Sequence, residues 1–164
     1  MSQALVTVGS ALPATTALGQ QEFVTLRLSQ QLFGISVLAV QDVMRYQPIA
    51  PIPLANECIA GSLNVRGRIV TALDMRRRLS LPPYAQPEKI MMVVVEARHE
   101  LFALIVDTVG DVLSLDMANF EKAPSNMDTG WRSMSSGVFK LKEELLVILD
   151  VASVITLPMK ETAA

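Results

Sequence analysis

One ordered set of elements occurs twice in this chain, and that repetition constrains its fold more than anything else in the sequence. With Phe33 set on Phe102, "FGISVLAVQDV" (Phe33 to Val43) lies on "FALIVDTVGDV" (Phe102 to Val112), matching Phe, two Val, Asp and the final Val. With Gly61 set on Gly137, "GSLNVRGRIVTALDMRRRLSL" (Gly61 to Leu81) lies on "GVFKLKEELLVILDVASVITL" (Gly137 to Leu157). Leu73 then meets Leu149, Asp74 meets Asp150 and Leu81 meets Leu157. The second alignment needs a slightly longer displacement than the first. The extra length falls in a middle loop, where insertions are tolerated. Strand, hairpin, aspartate and short helix repeated twice imply two related β units of about five strands each. Short strands with turns at close spacing favour small barrels or sandwiches. Neither unit is large enough to bury much alone, so the two are expected to share an apolar interface.

Local signals fill in the units. "FVTLRL" (Phe23 to Leu28) alternates as a half-buried strand does, and "QLFGISV" follows across a polar break at Ser29 to Gln31, reading as a hairpin. Gly34 inside the second strand suggests a bulge or a bend at a barrel corner. The strand is expected to run on through "LAVQDVMRY". Pro48, Pro51 and Pro53 make "QPIAPIP" an extended connector, and "LANECIAG" reads as a helical turn stopped by Gly61. Leu63 to Arg66 and Arg68 to Leu73 form a hairpin across Gly67, which accepts positive φ. Asp74 is placed to cap a short helix that ends before Pro82. After the proline-rich "PPYAQPEK" the pattern restarts with "IMMVVVEA", a break at Arg98 to Glu100, and "LFALIVDTVGDVLSL". Residues 116–136 read as loop, "GVFKLKEELLVILD" as another hairpin, and "VASVITL" as a short terminal helix.

Composition excludes several functions. Charges nearly cancel, with a net charge of −2 and a pI near 5.4. A nucleic-acid binder needs a dense basic surface, so that role is disfavoured. One cysteine, Cys58, and one histidine, His99, leave no internal disulfide and too few ligands for zinc, and no loop clusters acids for another metal. No cofactor loop of the phosphate- or dinucleotide-binding type is present. The N-terminal "MSQALVTVGSALPATTALGQ" lacks a basic start and a continuous apolar core, and reads as a polar tail rather than a signal peptide. No apolar run approaches the roughly 20 residues that cross a bilayer, so a cytoplasmic protein without membrane insertion is expected.

Catalytic groups are scarce. His99, the sole imidazole base, lies in a polar hairpin break, and Cys58 lies in a separate connector. Asp74 and Asp150 recur at one structural position, which suits helix capping better than acid–base chemistry. Arg76 to Arg78 read as a solvated helix face, Glu143 and Glu144 as a wet hairpin tip, and Trp131, Met91 and Met92 as packing. The duplication isolates one difference: Arg66-Gly67 at the first hairpin tip faces Lys142-Glu143 at the second. That contrast points to a task for the first tip beyond folding. A duplicated β protein of this kind reads as a binding module, not an enzyme.

The ordered string "FGISVLAVQDVMRYQPIAPIPLANECIAGSLNVRGRIVTALDMRRRLSLP", with "IVDTVGDVLSL" and "LLVILDV" as its second half, resembles the CheW-type chemotaxis coupling proteins. The resemblance runs from about Gln21 to Leu157 and implies a mainly β fold with short helices: two SH3-like five-stranded β-barrels packed together. It implies units of about 33–85, with a strand contributed from 21–30, and about 88–157, between tails at 1–20 and 158–164. It implies a non-catalytic adaptor, without cofactor or metal, that joins the cytoplasmic tip of methyl-accepting chemoreceptors to the regulatory domain of a CheA-type histidine kinase in membrane-associated arrays. It assigns contact roles to Arg66 with Asn64 and Gly67 in the Asn-x-Arg-Gly hairpin, and to Val40 and Asp42 in the Val-Gln-acid segment. Ile69 and Val40 would border the groove that receives an amphipathic receptor helix. The chain departs from the pattern in having Asp42 where Glu is common, and Pro48 before the connector. An adaptor of the same fold in a surface-sensing or pilus-control system is the nearest alternative, and a nucleic-acid-binding tandem barrel a remote one.

Overall fold

The computed structural model describes residues 19–84 and 89–156. Of the tails read from the sequence as 1–20 and 158–164, residues 1–18 and 158–164 lie outside these, as does Leu157 at the end of the second alignment, while Gln20 already belongs to a strand. Among the described residues ten strands run in the order β1 (Gln20–Leu28), β2 (Gln31–Ser36), β3 (Val40–Arg45), β4 (Ile59–Val65), β5 (Arg68–Asp74), β6 (Met91–Ala97), β7 (Glu100–Val106), β8 (Thr108–Asp116), β9 (Ser135–Lys140) and β10 (Leu145–Leu149). With them come the short helices α1 (Met75–Arg78), α2 (Thr129–Met134) and α3 (Val151–Ile155).

The strands form two five-stranded sheets, ordered β3-β6-β7-β5-β4 and β8-β1-β2-β10-β9. We call these the central and the terminal barrel. An isolated bridge from Ala50 to Ser62 joins the connector after β3 to β4, and one from Glu121 to Val138 joins the connector after β8 to β9. Each bridge closes a sheet by linking its two edges.

The duplication holds residue by residue. Phe33 pairs in parallel with Val147, and its counterpart Phe102 pairs in parallel with Thr71. A bulge lies between Ile59 and Gly61, and another at the aligned positions Ser135 and Gly137. The Asp74 amide donates to the Cys58 carbonyl at 2.7 Å, and the Asp150 amide to the Met134 carbonyl at 2.8 Å.

Strand pairing does not follow the division of the chain into 33–85 and 88–157. The β1–β2 hairpin completes the barrel of the second repeat, and β6–β7 completes the barrel of the first. The reason lies at Val37–Ala39, where a 3-10 turn capped by the Ser36 hydroxyl replaces the continuous strand read from the sequence. The chain crosses there from one sheet to the other. Gly34 is not a bulge: a Cβ on it would meet Ile148 Cδ1 at 2.9 Å, so it serves close packing. Gly61 does not stop a helix, because 51–58 holds turns and Gly61 lies inside β4. Its φ of 149° accommodates the Ala50 carbonyl, only 2.2 Å from where a Cβ would stand. The loop at 116–136 contains α2, which carries Trp131.

Three apolar clusters result. Phe23, Phe139 and Ile148 fill the terminal barrel, and Val70, Met92 and Ile105 fill the central one. The largest lies between the barrels and draws Leu26, Phe33, Val147, Val95, Leu104 and Leu73 from both sheets. Trp131 stands at its margin, its ring 5.4 Å from Phe33 and its Nε1 donating to the Leu79 carbonyl at 2.9 Å.

The arginine run is not a solvated face. Arg76 Nε donates to Asp107 Oδ1 at 2.8 Å, and its guanidinium lies over Tyr84. Arg78 donates to the carbonyls of Val154, Ser153 and Thr156 at the end of α3. Of the three, Arg77 alone is exposed. Asp74 caps α1 by accepting the Arg77 amide, whereas Asp150 makes no such bond and accepts the Ser153 hydroxyl instead.

Gly61→Ala and Gly137→Ala should each lower unfolding free energy by about 3 kcal/mol in chemical denaturation, since both the backbone conformation and the facing carbonyl oppose a Cβ. Gly34→Ala should cost less, because the opposing atoms are ends of flexible side chains.

Candidate functional site

Hairpin β4–β5 turns on Arg66 and Gly67, with φ values of 52° and 85°. Two successive positive φ values give the turn whose twist matches the flanking strands. Asn64 fixes it, its Oδ1 accepting the Gly67 amide at 2.8 Å. Glycine adopts this region freely, but a residue with a Cβ is disfavoured there by about 1–2 kcal/mol. Asparagine or glycine would make the turn more easily than Arg66 does, so folding does not account for an arginine at this position. The tip stands clear in solvent: a Cβ on Gly67 would meet nothing within 4 Å.

Asp42 approaches from the opposite edge of the sheet. Strand β3 carries a bulge between Val40 and Asp42 where it pairs with β6, and the extra residue Gln41 re-aims the strand. The Asp42 carboxylate lies 3.1 Å from the Arg66 guanidinium, with side chains 24% and 80% exposed respectively. Because β3 and β4 are the two edges of the sheet, this ion pair spans the seam of the central barrel. Such an exposed pair contributes no more than about 1 kcal/mol, so either member can be traded for a group on another molecule at little cost.

The terminal barrel places its exposed ion pair elsewhere on the seam, between Lys140 of β9 and Glu121 of the closing bridge at 3.5 Å, and not at the hairpin tip. The counterparts Asp111 and Lys142 do not meet, and Glu144 instead binds Arg27 through two contacts at 2.8 and 3.1 Å. The contrast between Arg-Gly and Lys-Glu in the sequence is therefore a contrast in structure, although Glu144 is engaged rather than merely wet.

The structure thus brings Arg66, Asp42, Asn64 and Gly67 to one end of the central barrel, and Ile69 joins them as the register partner of Asn64. Ile69 is 72% exposed. Val40 sits apart from the tip, half-buried against the shared cluster. Other exposed apolar residues escape the sequence reading. Val43 and Val112 are counterparts on the edge strands β3 and β8, and their neighbours Val40 and Val109 both pack on the shared cluster. The aligned valines of "VLAVQDV" and "VDTVGDV" carry that signal. Leu38 and Leu54, both almost wholly exposed, have no periodic signal because each lies in a turn.

The other candidates stay structural. His99 lies at the exposed tip of the β6–β7 turn, and Cys58 is buried, with burial pushing its thiol above the ordinary range. Among the described residues no cluster of His, Cys, Asp and Glu could hold a metal ion, and no helix is long and apolar enough to cross a membrane.

Comparison with known proteins places this arrangement. The model of the CheW-like domain matches residues 22–158. The chain belongs to the CheW-like family. It is 28% identical to the chemotaxis protein CheW of Klebsiella aerogenes over 83% of this chain and 82% of that one. It is 24% identical to the chemotaxis protein CheW of Bacillus subtilis, over 87% and 92%. The crystal structure of the scaffolding protein TtCheW from Thermoanaerobacter tengcongensis shares the fold with a TM-score of 0.76, at 24% identity over 84% of this chain and 93% of that one. Membership of that family makes the chain a non-catalytic chemotaxis adaptor.

Two measurements follow. Arg66→Ala should change stability by less than about 0.5 kcal/mol, and Arg66→Gly should raise it by up to about 1 kcal/mol, read by thermal or denaturant unfolding. The Cys58 thiol should resist maleimide in the folded protein and react at the rate of a free thiol only in denaturant.

Proposed function

We propose that this protein couples the cytoplasmic tip of a chemoreceptor to the regulatory domain of a CheA-type histidine kinase, in the cytoplasm at receptor arrays. The observation that carries this reading is the Arg66–Asp42 pair at the hairpin tip of the central barrel, a single contact that leaves Arg66 largely exposed, where the aligned tip of the terminal barrel holds Glu144 to Arg27 through two contacts. Arg66 presents a rigid fork of donors on a side chain that is 80% exposed even with Asp42 beside it. Donors pointing to solvent suit a carboxylate on the kinase. Ile69 beside it supplies apolar contact area.

A receptor helix requires a different surface. The edge strands β3 and β8, with Val40, Val43, Val109 and Val112, border the apolar layer between the barrels and suit the apolar stripe of an amphipathic helix. Two faces on one rigid body let a scaffold hold two partners at a fixed geometry, so that one partner's conformation biases the other.

Co-sedimentation with receptor signalling tips, with and without the kinase, tests the proposal. Arg66→Ala should weaken kinase recruitment about tenfold, as loss of an interface arginine does, while receptor binding persists. Val43→Asp with Val112→Asp should do the reverse. Wild-type protein that fails to sediment with either partner would overturn the assignment.

A further inference from the structure

Val109 and Val112, on the edge strand β8, are three residues apart. In a regular strand that spacing sends two side chains to opposite faces. Here a bulge returns them to one face. Val109 pairs with Leu26 and Val112 with Val24, leaving Gly110 and Asp111 against Thr25 alone. The aligned strand β3 does the same with Val40 and Val43, which pair with Val95 and Val93.

The two bulges are held differently. In β3 the Asp42 carboxylate accepts the Val43 amide at 2.8 Å, and the same carboxylate pairs with Arg66. In β8 the hold comes from the neighbouring strand. Thr25, only 4% exposed, is the one buried polar side chain among the described residues, and its Oγ1 donates to the Asp111 carbonyl at 2.6 Å. Gly110 makes room for that hydroxyl: a Cβ on it would lie 2.8 Å from Thr25 Oγ1, with the next atoms at 4.0 Å. The counterparts of Thr25 and Gly110 in the central barrel are Val94 and Gln41. Valine fills the buried position there, so folding alone does not call for a threonine opposite a glycine.

We propose that Thr25 is a positioning residue for receptor binding, which rests on the receptor role given above to β3 and β8. Its hydroxyl, with Gly110 giving it space, clamps the β8 bulge and holds Val109 and Val112 on one side. They then form a fixed wall for the apolar stripe of a receptor helix. The β3 wall depends on a carboxylate that Arg66 also engages. The clamp on the β8 wall is buried, beyond the reach of a partner that binds at Arg66.

Affinities for the receptor signalling tip and for the kinase regulatory domain, measured separately, test this on the full chain and its variants. Thr25→Val keeps the shape and removes the donor, so it should weaken tip binding about fivefold and leave kinase binding unchanged. Thr25→Ser keeps the hydroxyl and should bind the tip as the parent does. Gly110→Ala should weaken tip binding by a similar factor in the parent and add nothing in Thr25→Ala, where the opposing oxygen is gone. Amides of residues 109–113 should exchange hydrogen faster in Thr25→Val than in the parent. Equal tip binding by Thr25→Val and the parent would overturn the proposal. So would loss of tip and kinase binding in step, the mark of a merely structural residue. A parent protein that binds the kinase but no tip would overturn the receptor role itself, and the role of Thr25 with it.

Discussion

The structure depends on the apolar layer between its two barrels. Each barrel encloses a small cluster of its own, too small for a stable domain, and the larger cluster exists only when the two sheets face each other. The exchange of hairpins makes that dependence absolute. Neither barrel is complete without two strands from the other repeat, so burial of Leu26, Phe33, Val95 and Leu104 and closure of the barrels are one event. Polar contacts then fix the relative position of the sheets. Asp107, at the crossover from β7 to β8, accepts from Arg76 of α1 and from the Ser29 amide in the β1–β2 turn. Arg78 reaches α3, and Trp131 reaches Leu79.

The locks are not duplicated, although the fold is. The counterpart of Asp107 is Leu38, and that of Arg76 is Ala152. One crossover is held by a partly buried ion pair and the other exposes a leucine that is 90% accessible. The shared layer already fixes the barrels, so a second lock adds little, and the unlocked copy is free to present apolar surface. The same logic applies at the hairpin tips. In the terminal barrel Arg27 holds Glu144 through two contacts, while in the central barrel Arg66 and Asp42 share a single one that leaves Arg66 largely exposed.

Much of this is legible in the sequence and some is not, for identifiable reasons. Setting Phe33 on Phe102 and Gly61 on Gly137 matches residues that are structurally equivalent, because side-chain alternation survives duplication, but the bulges and parallel pairings that the matched residues share are not read from the sequence. The hairpin exchange leaves no trace, since the apolar pattern of a strand is the same in either sheet. The 3-10 turn at Val37–Ala39 hides inside an apolar run for that reason. Gly61 has the look of a helix stop, but its conformation answers to the carbonyl of Ala50, a contact that local sequence does not encode. The arginines of α1 read as solvated because their acceptors, Asp107 and the last carbonyls of α3, are remote in sequence. At the site, Arg66 and Asp42 each stand out alone, yet their pairing needs barrel closure, which joins the sheet edges only in three dimensions.

A duplicated fold suits a scaffold for a physical reason. An enzyme needs groups converging on one point, whereas a scaffold needs separate surfaces held at fixed separation. Two copies joined through a common core supply rigidity from the interior and leave the exteriors free to diverge. Interior residues are bound by the duplication: Phe33 and Phe102, or Gly61 and Gly137, stay in step because packing and backbone geometry penalise change. Exterior positions carry no such penalty, so Arg66 departs from Lys142 and Leu38 from Asp107. Departure from internal likeness at an exposed position is then itself a pointer to binding. It is strongest where the residue present, as Arg66 in a left-handed turn, is not the one that folding would select.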